Sequence, residues 1–443
     1  MPEYSSHAYL VADEDDTVLP PEQDFPIWGK TGVVDWLLAL YLVAVGAMTA
    51  TPIWYVSTYI AYGVALAFVF TLDYGRAVRI PSFWLFVGLA VWLFVTASRS
   101  LYPFVSMNAA WYIIKIIVFS LILMARCTSL SRLIFYLKAT IIGMLTLAVC
   151  GAIMGYPAAV QGGAAVMGLT TEENAFGVVL FTGLLVGMVL LPCVGKKWKV
   201  LVWIYFVAAF VSLLASASRG ASMACFMAVV TYFILEHIRY IRQNLTTIIP
   251  MFMLIIGVPI IAVRLFPHAL LVQRLSTLYY EGRAATSGRL DIYEHAWGLF
   301  LSHKFFGIGP GMYRAHSVFV YTHTTFLEFL VTTGILGFVL YYACYLHAWL
   351  LLGRLLRAFK QSNRLRKLLN SCRSVLIATV IFGAFLPVHY EKGLSFLLAI
   401  IIGFAARCCW QLKQYQQPLP DANLEGDHAQ YAQTRTVDRT LYR

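Results

Sequence analysis

Long apolar blocks, separated by short polar segments, recur along almost the whole chain. A helix needs about 20 mainly apolar residues to cross the hydrocarbon core of a bilayer, so each block predicts one membrane-spanning helix. We find twelve such blocks, at residues 33–51, 53–72, 80–97, 108–125, 133–154, 175–194, 198–217, 220–238, 245–265, 323–352, 373–389 and 393–410. The pattern therefore predicts an all-α polytopic membrane protein with about twelve transmembrane helices.

The polar segments divide the chain into five predicted parts. These are a polar tail at 1–30, nine spans within 31–265, a polar loop with short helices at 266–322, three spans within 323–413 and a second polar tail at 414–443. The two tails lack the apolar content that a packed core requires.

The positive charge of the chain is distributed by loop. Charged residues make up only 12% of the 443 residues, yet the net charge is +12. Lysines and arginines follow the even-numbered blocks, and short cytoplasmic loops of membrane proteins carry such an excess. We therefore expect both termini in the cytoplasm and the 266–322 loop on the outer side. The charge indicates topology and contact with membrane lipids, especially along the basic run 354–373, and it does not indicate nucleic-acid binding.

The 266–322 loop carries the patterns of two short helices and a turn. Weak apolar periodicity predicts one helix at 267–280, and Thr286 or Ser287 is expected to cap a second helix at 289–304. Gly307-Ile-Gly-Pro-Gly311 predicts a sharp turn. The second helix has an apolar stripe formed by Leu290, Tyr293, Trp297, Phe300 and Leu301. Together these elements predict a helical lid on the membrane surface.

Arginines in predicted outer positions are candidates for binding an anion. Arg219 lies among small residues between the seventh and eighth blocks, where the charge rule expects few cations. Arg289 and Arg283 belong to a loop that has more cations than acids, and the planar guanidinium group binds phosphate through paired hydrogen bonds. The alternatives are a snorkelling side chain for Arg219 and, for Arg289, a solvated helix face with pairing to Asp291 or Tyr293.

His323 stands where a polar segment becomes the tenth apolar block. If the helix includes this residue, a spacing of about 100° per residue places it on one face with Leu327, Leu330, Gly334 and Gly337. Glycines on that face would let another helix approach, so the histidine would point into the protein. Neutral imidazole can take a proton from a hydroxyl there; the alternative is a structural histidine. Glu328 lies about 140° away around this helix and is not expected to orient His323.

Signals for metal-dependent or nucleotide-driven chemistry are absent from the sequence. We find no Asp-x-Asp in a predicted outer loop, no His-Glu-x-x-His and no G-x-x-x-x-G-K-[ST]. The outer carboxylates also lack the spacing of metal ligands. We therefore expect no metal and no cofactor.

Several short motifs between about residues 170 and 400 resemble the bacterial O-antigen ligase/polymerase superfamily. Each motif is degenerate, but their order, spacing and shared outer placement are similar to those of the family. In chain order the motifs are Asn174, Ser218-Arg219-Gly220, Gly288-Arg289, Gly307-Ile-Gly-Pro-Gly311, and His323-Thr-Thr-Phe-Leu-Glu328 followed by Gly334 and Gly337.

The resemblance implies a GT-C-like membrane fold and a metal-independent, inverting glycosyltransferase of the bacterial inner membrane, with a periplasmic active site. It implies a donor glycan carried on undecaprenyl diphosphate. Arg219 and Arg289 would then hold the diphosphate, assisted by Arg283. His323 would act as the base or position the acceptor hydroxyl.

The resemblance leaves the acceptor open. A ligase would transfer the glycan to lipid A–core, whereas a polymerase would extend the glycan itself. The R-x10-G motif described for the polymerases does not begin at Arg219, Arg274 or Arg289, which favours a ligase. A polysaccharide transporter or flippase is a third hypothesis, which predicts charges near the middle of the bilayer. Mid-span charges are few, Lys115 and Lys138 among them, so an enzyme is favoured.

Overall fold

The computed structural model describes residues 31–48, 54–69, 77–161, 173–216, 218–243, 283–319, 321–359 and 362–416, with isolated positions between 244 and 282. Within these ranges the protein is helical and contains no strand. The long helices are α1 Val33–Met48, α2 Trp54–Val69, α3 Pro81–Ser98, α4 Pro103–Arg126, α5 Leu130–Gln161, α6 Glu173–Leu190, α7 Lys196–Ser216, α8 Arg219–Gln243, α9 Arg283–Ser302, α10 Thr325–Ala358, α11 Asn363–Gly383 and α12 Lys392–Gln416.

The helices agree closely with the apolar blocks. Eleven of the twelve predicted spans coincide with a helix, and the ninth, at 245–265, lies mostly outside the described residues. Among the described helices, eight are long and apolar enough to cross a membrane, while α1 and α2 are apolar but shorter. The prediction of an all-α polytopic membrane protein is confirmed, and the number of spans stays a prediction. The eleventh block is wrong at its end, because α11 stops at Gly383 and a turn occupies 384–391.

The core forms where these helices pack side by side. α5 lies between α1 and α7, α12 packs on α4, α8 packs on α11, and α10 packs on α3. Glycine makes the closest of these contacts possible, because a Cβ on Gly143 of α5 would lie 2.3 Å from the Val43 carbonyl oxygen of α1. Close backbone approach of this kind is typical of packed membrane helices.

A buried ion cluster ties three helices together at the end of the bundle opposite His323. Asp35 is fully buried and accepts hydrogen bonds from Arg126 Nε (3.1 Å) and Nη2 (3.0 Å). Arg132 Nε lies 3.4 Å from the same carboxylate, and the Tyr136 hydroxyl donates to it. The cluster joins α1 to α4 and α5 and compensates one buried acid with two bases.

Helix α10 is broken at Gly334, where φ is 67° and ψ is −172°. A side chain there would clash, because a Cβ would lie 2.1 Å from the Phe305 carbonyl oxygen. The break leaves backbone groups without helical partners, which is unfavourable inside a bilayer. Four hydrogen bonds from outside the helix satisfy them: Ile308 N to Val331 O (2.8 Å), Gly309 N to Thr332 O (2.9 Å), Trp92 Nε1 to Thr333 O (2.8 Å) and Ile335 N to Lys304 O (2.9 Å).

The lid, defined here as residues 283–319, packs on α10 at this break. Its glycines Gly307, Gly309 and Gly311 all have positive φ, which confirms the predicted sharp turn. A small separate core joins the lid to α10 through Ile292, Ala296, Ile308, Met312, Tyr313 and Val331.

One detail of the predicted lid is wrong. Thr286 and Ser287 lie within α9, because the helix already begins at Arg283. Of the predicted apolar stripe, Tyr293 and Phe300 pack against the small core, while Leu290, Trp297 and Leu301 are exposed. The predicted helix at 267–280 lies outside the described residues, apart from two isolated positions.

Candidate functional site

His323 lies in a tight turn before α10, and not on the helix as its sequence position predicts. The helix begins at Thr325, with Thr324 as its N-cap, whose hydroxyl accepts from the Phe326 N–H at 3.2 Å. His323 has φ +58°, and it is the one non-glycine residue with positive φ among those described. This left-handed conformation is strained for a residue with a Cβ and is typically found at functional sites.

Glu328 holds this turn in place from one helical turn below. Its side chain is 2% exposed, and its Oε2 accepts from the Thr322 N–H (3.1 Å) and lies 3.0 Å from the Thr322 hydroxyl. That hydroxyl is also 2.8 Å from the Thr324 carbonyl oxygen. The expectation that Glu328 does not orient His323 is therefore wrong: it acts through the residue that precedes the histidine.

Thr325 connects the His323 turn to the α11–α12 turn, which comprises residues 384–391. The Thr325 hydroxyl donates to the Leu386 carbonyl (2.8 Å) and accepts from the Val388 N–H (2.8 Å). His389 of this turn is buried against Phe329 of α10, with ring centroids 4.8 Å apart. Burial lowers the pKa of His389 to about 3, so this second histidine is neutral at physiological pH.

A cavity of about 770 Å³ opens beside the two turns. Helices α1, α2, α4 and α6 form its walls, with the α11–α12 turn and the start of α12 on one side. Tyr321 also lines it, and the Tyr321 ring lies 4.3 Å from the His323 ring. The His323 turn is therefore separated from the cavity by one aromatic side chain.

Arg219 lies next to this cavity, at the first residue of α8. Its neighbour Ser218 is buried and donates to Asn174 Oδ1 at 3.3 Å, and Asn174 lines the cavity. On the other side, a Cβ on Gly220 would lie 3.5 Å from Leu386 of the α11–α12 turn. The predicted residues Asn174, Arg219 and His323 are thus connected through their chain neighbours: Ser218 contacts Asn174, and Gly220 lies near Leu386, which accepts from Thr325 of the His323 turn.

The two lid arginines are not brought into the same cluster. Arg289 is half-buried on α9 and is not among the residues that line the cavity. Arg283 begins α9, and its side chain lies outside the described residues. Their predicted role in holding the diphosphate therefore stays a prediction.

The described residues contain no group of three His, Cys, Asp or Glu side chains arranged to hold a metal ion. The metal independence that the sequence predicts stays a prediction.

Residues 204–342 match the family model for O-antigen ligase. This segment, about a third of the chain, is similar to that family. The match supports a multi-pass membrane protein with glycosyl transfer of the O-antigen ligase/polymerase type. The matched segment contains all four predicted site residues, Arg219, Arg283, Arg289 and His323. A comparison with curated proteins gives no significant match.

Sequence reasoning missed the cavity and the residue that holds the His323 turn. Lys115, Glu391 and Lys392 line the cavity together, yet they come from distant parts of the chain. Lys115 did give a signal, as a charge within an apolar block. Glu328 gave a signal within the family motif, but the assumption of a continuous helix concealed its role.

Proposed function

We propose that the protein transfers a glycan from undecaprenyl diphosphate to an acceptor hydroxyl at the periplasmic face of the bacterial inner membrane. The reaction is inverting and needs no metal. The observation that carries this proposal is the left-handed His323 turn, which Glu328 holds beside the cavity.

In this reaction the acceptor oxygen attacks the anomeric carbon as the bond from that carbon to the diphosphate oxygen breaks. The hydroxyl proton passes to the His323 imidazole, and the diphosphate leaves with its lipid carrier. Base assistance of this kind contributes about 10²–10⁴-fold to the rate. The leaving diphosphate carries the developing negative charge, so cations fixed around it lower the barrier.

Arg219 is suited to that electrostatic role by its position. It begins α8, and the start of α6 lies beside it through the Ser218–Asn174 hydrogen bond. Helix N-termini carry partial positive charge and bind phosphate groups. A guanidinium group at this junction adds a full charge and two parallel donors. Arg289 and Arg283 of the lid are the further cations that the proposal assigns to the diphosphate.

Replacing His323 by glycine tests the base directly. Glycine adopts φ +58° without strain, so His323→Gly removes the imidazole and leaves the turn intact, whereas His323→Ala removes the imidazole but keeps the Cβ and its strain of about 1–2 kcal/mol. We expect both variants to lose at least about 100-fold in transfer rate, with normal membrane insertion. The rate is measured with purified protein and a glycan on undecaprenyl diphosphate. Full activity of His323→Gly would refute the assignment.

We propose lipid A–core as the acceptor, which would make the protein an O-antigen ligase. The missing R-x10-G motif at Arg219 and Arg289 supports this choice over a polymerase. A deletion strain separates the two activities, because loss of a ligase leaves long lipid-linked polymer and loss of a polymerase leaves single-unit glycan. Accumulation of single units would overturn the ligase assignment in favour of the polymerase.

A further inference from the structure

The cavity beside His323 contains charge that the reaction described above does not use. Lys115 of α4, Glu391 of the α11–α12 turn and Lys392 of α12 all line it. The remaining wall is mainly aromatic and aliphatic, with tyrosines and a tryptophan from α1, α2 and α4. Two cations and one acid therefore face a largely apolar space.

Lys115 lies deep along its helix. It is twelve residues after Pro103, the first residue of this apolar helix. Ionisable residues within membrane-spanning helices are unfavourable, and those that occur usually face a cavity on a substrate path. Lys115 does so, since its side chain is half-buried and lines the cavity.

Lys392 lies near Lys115 on the same cavity wall. Its Nζ is 5.8 Å from the centre of the Tyr112 ring, one helical turn before Lys115. Among the residues that the structure describes, neither lysine has a hydrogen-bond or ion-pair partner. Cation–π contact with Tyr112 stabilises Lys392 only modestly, so the two ammonium groups lack a full counter-charge.

Glu391 does not supply that counter-charge fully. Burial raises the pKa of its carboxyl to about 7, against the opposing effects of the Gly393 N–H and of Lys392. Near neutral pH the carboxyl is therefore partly protonated, and the two lysines outnumber the one acid in the cavity. An anion would complete it, and the apolar wall suits a hydrocarbon chain.

We propose that this cavity binds a lipid phosphate, with Lys115 and Lys392 on the phosphate oxygens and the aromatic wall around the hydrocarbon chain. The inference rests on the proposed function, since it makes the cavity the place where the polyisoprenyl carrier is held. Tyr321 lines the same cavity, and its ring lies 4.3 Å from the His323 ring. Arg219 lies next to the cavity but does not line it, so the two lysines would add to the cations that the proposed function places on the diphosphate.

Binding to purified full-length protein tests this site without requiring transfer. The probes are undecaprenyl diphosphate, undecaprenyl monophosphate, phosphatidylglycerol and undecaprenol, which lacks phosphate. We expect Lys115→Gln and Lys392→Gln each to weaken binding of undecaprenyl diphosphate about 10-fold, and the double variant about 100-fold. Undecaprenol binding should not change. The double substitution to arginine keeps both charges and should retain binding within a few-fold.

A third lysine provides the matched control. Lys138 also lies within an apolar helix, but its Nζ sits 4.6 Å from the Trp198 ring centre and it does not line the cavity. Lys138→Gln should therefore bind undecaprenyl diphosphate as the wild type does. Thermal unfolding of each variant in detergent verifies that it is folded.

The outcomes separate this inference from the proposed function. Lysine-dependent binding of undecaprenyl phosphates but not of phosphatidylglycerol supports a carrier site, even if the wild type shows no transfer. Equal lysine-dependent binding of phosphatidylglycerol would support the phosphate site and assign it to bulk lipid. Wild-type affinity of the double glutamine variant for undecaprenyl diphosphate would overturn the inference, even if transfer is robust.

Discussion

Replacing Glu328 by alanine should release the turn that carries His323. The substitution removes the oxygen that accepts from the Thr322 N–H at 3.1 Å and lies 3.0 Å from its hydroxyl. The Thr322 N–H bond to the carboxylate contributes about 1.5–3 kcal/mol, and the Thr322 hydroxyl, whose single proton can also go to the Thr324 carbonyl, adds a smaller amount. The left-handed conformation of His323 costs about 1–3 kcal/mol. Because the hydrogen bonds from Thr322 to Glu328 stabilise the turn by more than its left-handed conformation costs, we expect the turn to relax only when these hydrogen bonds are lost.

The rate of glycosyl transfer should report this relaxation. If the productive turn becomes unfavourable by the 1–3 kcal/mol of strain, the rate falls about 5- to 150-fold. Glu328→Gln is the matched control, because its amide oxygen can still accept from Thr322, and we expect a loss of only a few-fold. The assay is the initial rate with purified protein and a saturating lipid-linked glycan.

Two results would contradict this reasoning. Wild-type activity of Glu328→Ala would mean that the turn does not need the hydrogen bonds to Glu328. A loss in Glu328→Gln as large as that in Glu328→Ala would mean that the negative charge itself is used. A double-mutant cycle sharpens the test: in the His323→Gly background, Glu328→Ala should reduce the rate no further, because the histidine it positions is gone.

Three other predictions concern stability and metal dependence. Gly334→Ala should lower the free energy of unfolding by about 3 kcal/mol or more through strain and lost hydrogen bonds, since φ is 67° and the new Cβ would lie 2.1 Å from Phe305 O. Gly298→Ala, at an exposed position of α9 where no atom lies within 4 Å of the new Cβ, should instead stabilise the protein by about 1 kcal/mol. Equal thermal midpoints of the two variants would refute the account of the kink. Asp35→Asn should destabilise by about 3 kcal/mol because it leaves two arginines without their buried acid, and an unchanged midpoint in detergent would show that the cluster is solvated. Transfer should survive excess chelator, and a strict requirement for Mg²⁺ would reject the metal-free mechanism.

Hydropathy alone was sufficient to predict most of the helices, because the length and composition of a membrane span are set by the bilayer. It was insufficient where the backbone departs from a regular helix. The projection that placed His323 on a helix face assumed helical dihedral angles through 323 and 324, and no sequence signal marks the positive φ of a histidine. Gly334 was interpreted as space for a neighbouring helix, whereas it bends its own helix and admits the backbone of Phe305.

Periodicity also could not tell which side of a lid helix packs on the protein. The side of α9 with Ile292 and Ala296 is buried, while Trp297 and Leu290 are exposed. Both sides are apolar because a helix at a membrane surface has protein on one side and lipid on the other. The cavity was unpredictable for a different reason: Lys115 and Lys392 are brought together only by the packing of α12 on α4, which is a long-range property of the fold.

The hydrogen-bonded break in α10 also determines how a substrate can reach the site. Hydrogen bonds at Ile308, Gly309 and Ile335 join the lid to α10 on both sides of the break. Lifting the lid would therefore expose unpaired carbonyls. We therefore expect the lipid carrier to enter the cavity laterally, from within the bilayer. We expect α2 to mark the entry point, because it lines the cavity and packs mainly on α1, with few contacts to α4. An engineered cross-link between α2 and α4 should therefore stop turnover of a lipid-linked donor; undiminished turnover would place the entry point elsewhere.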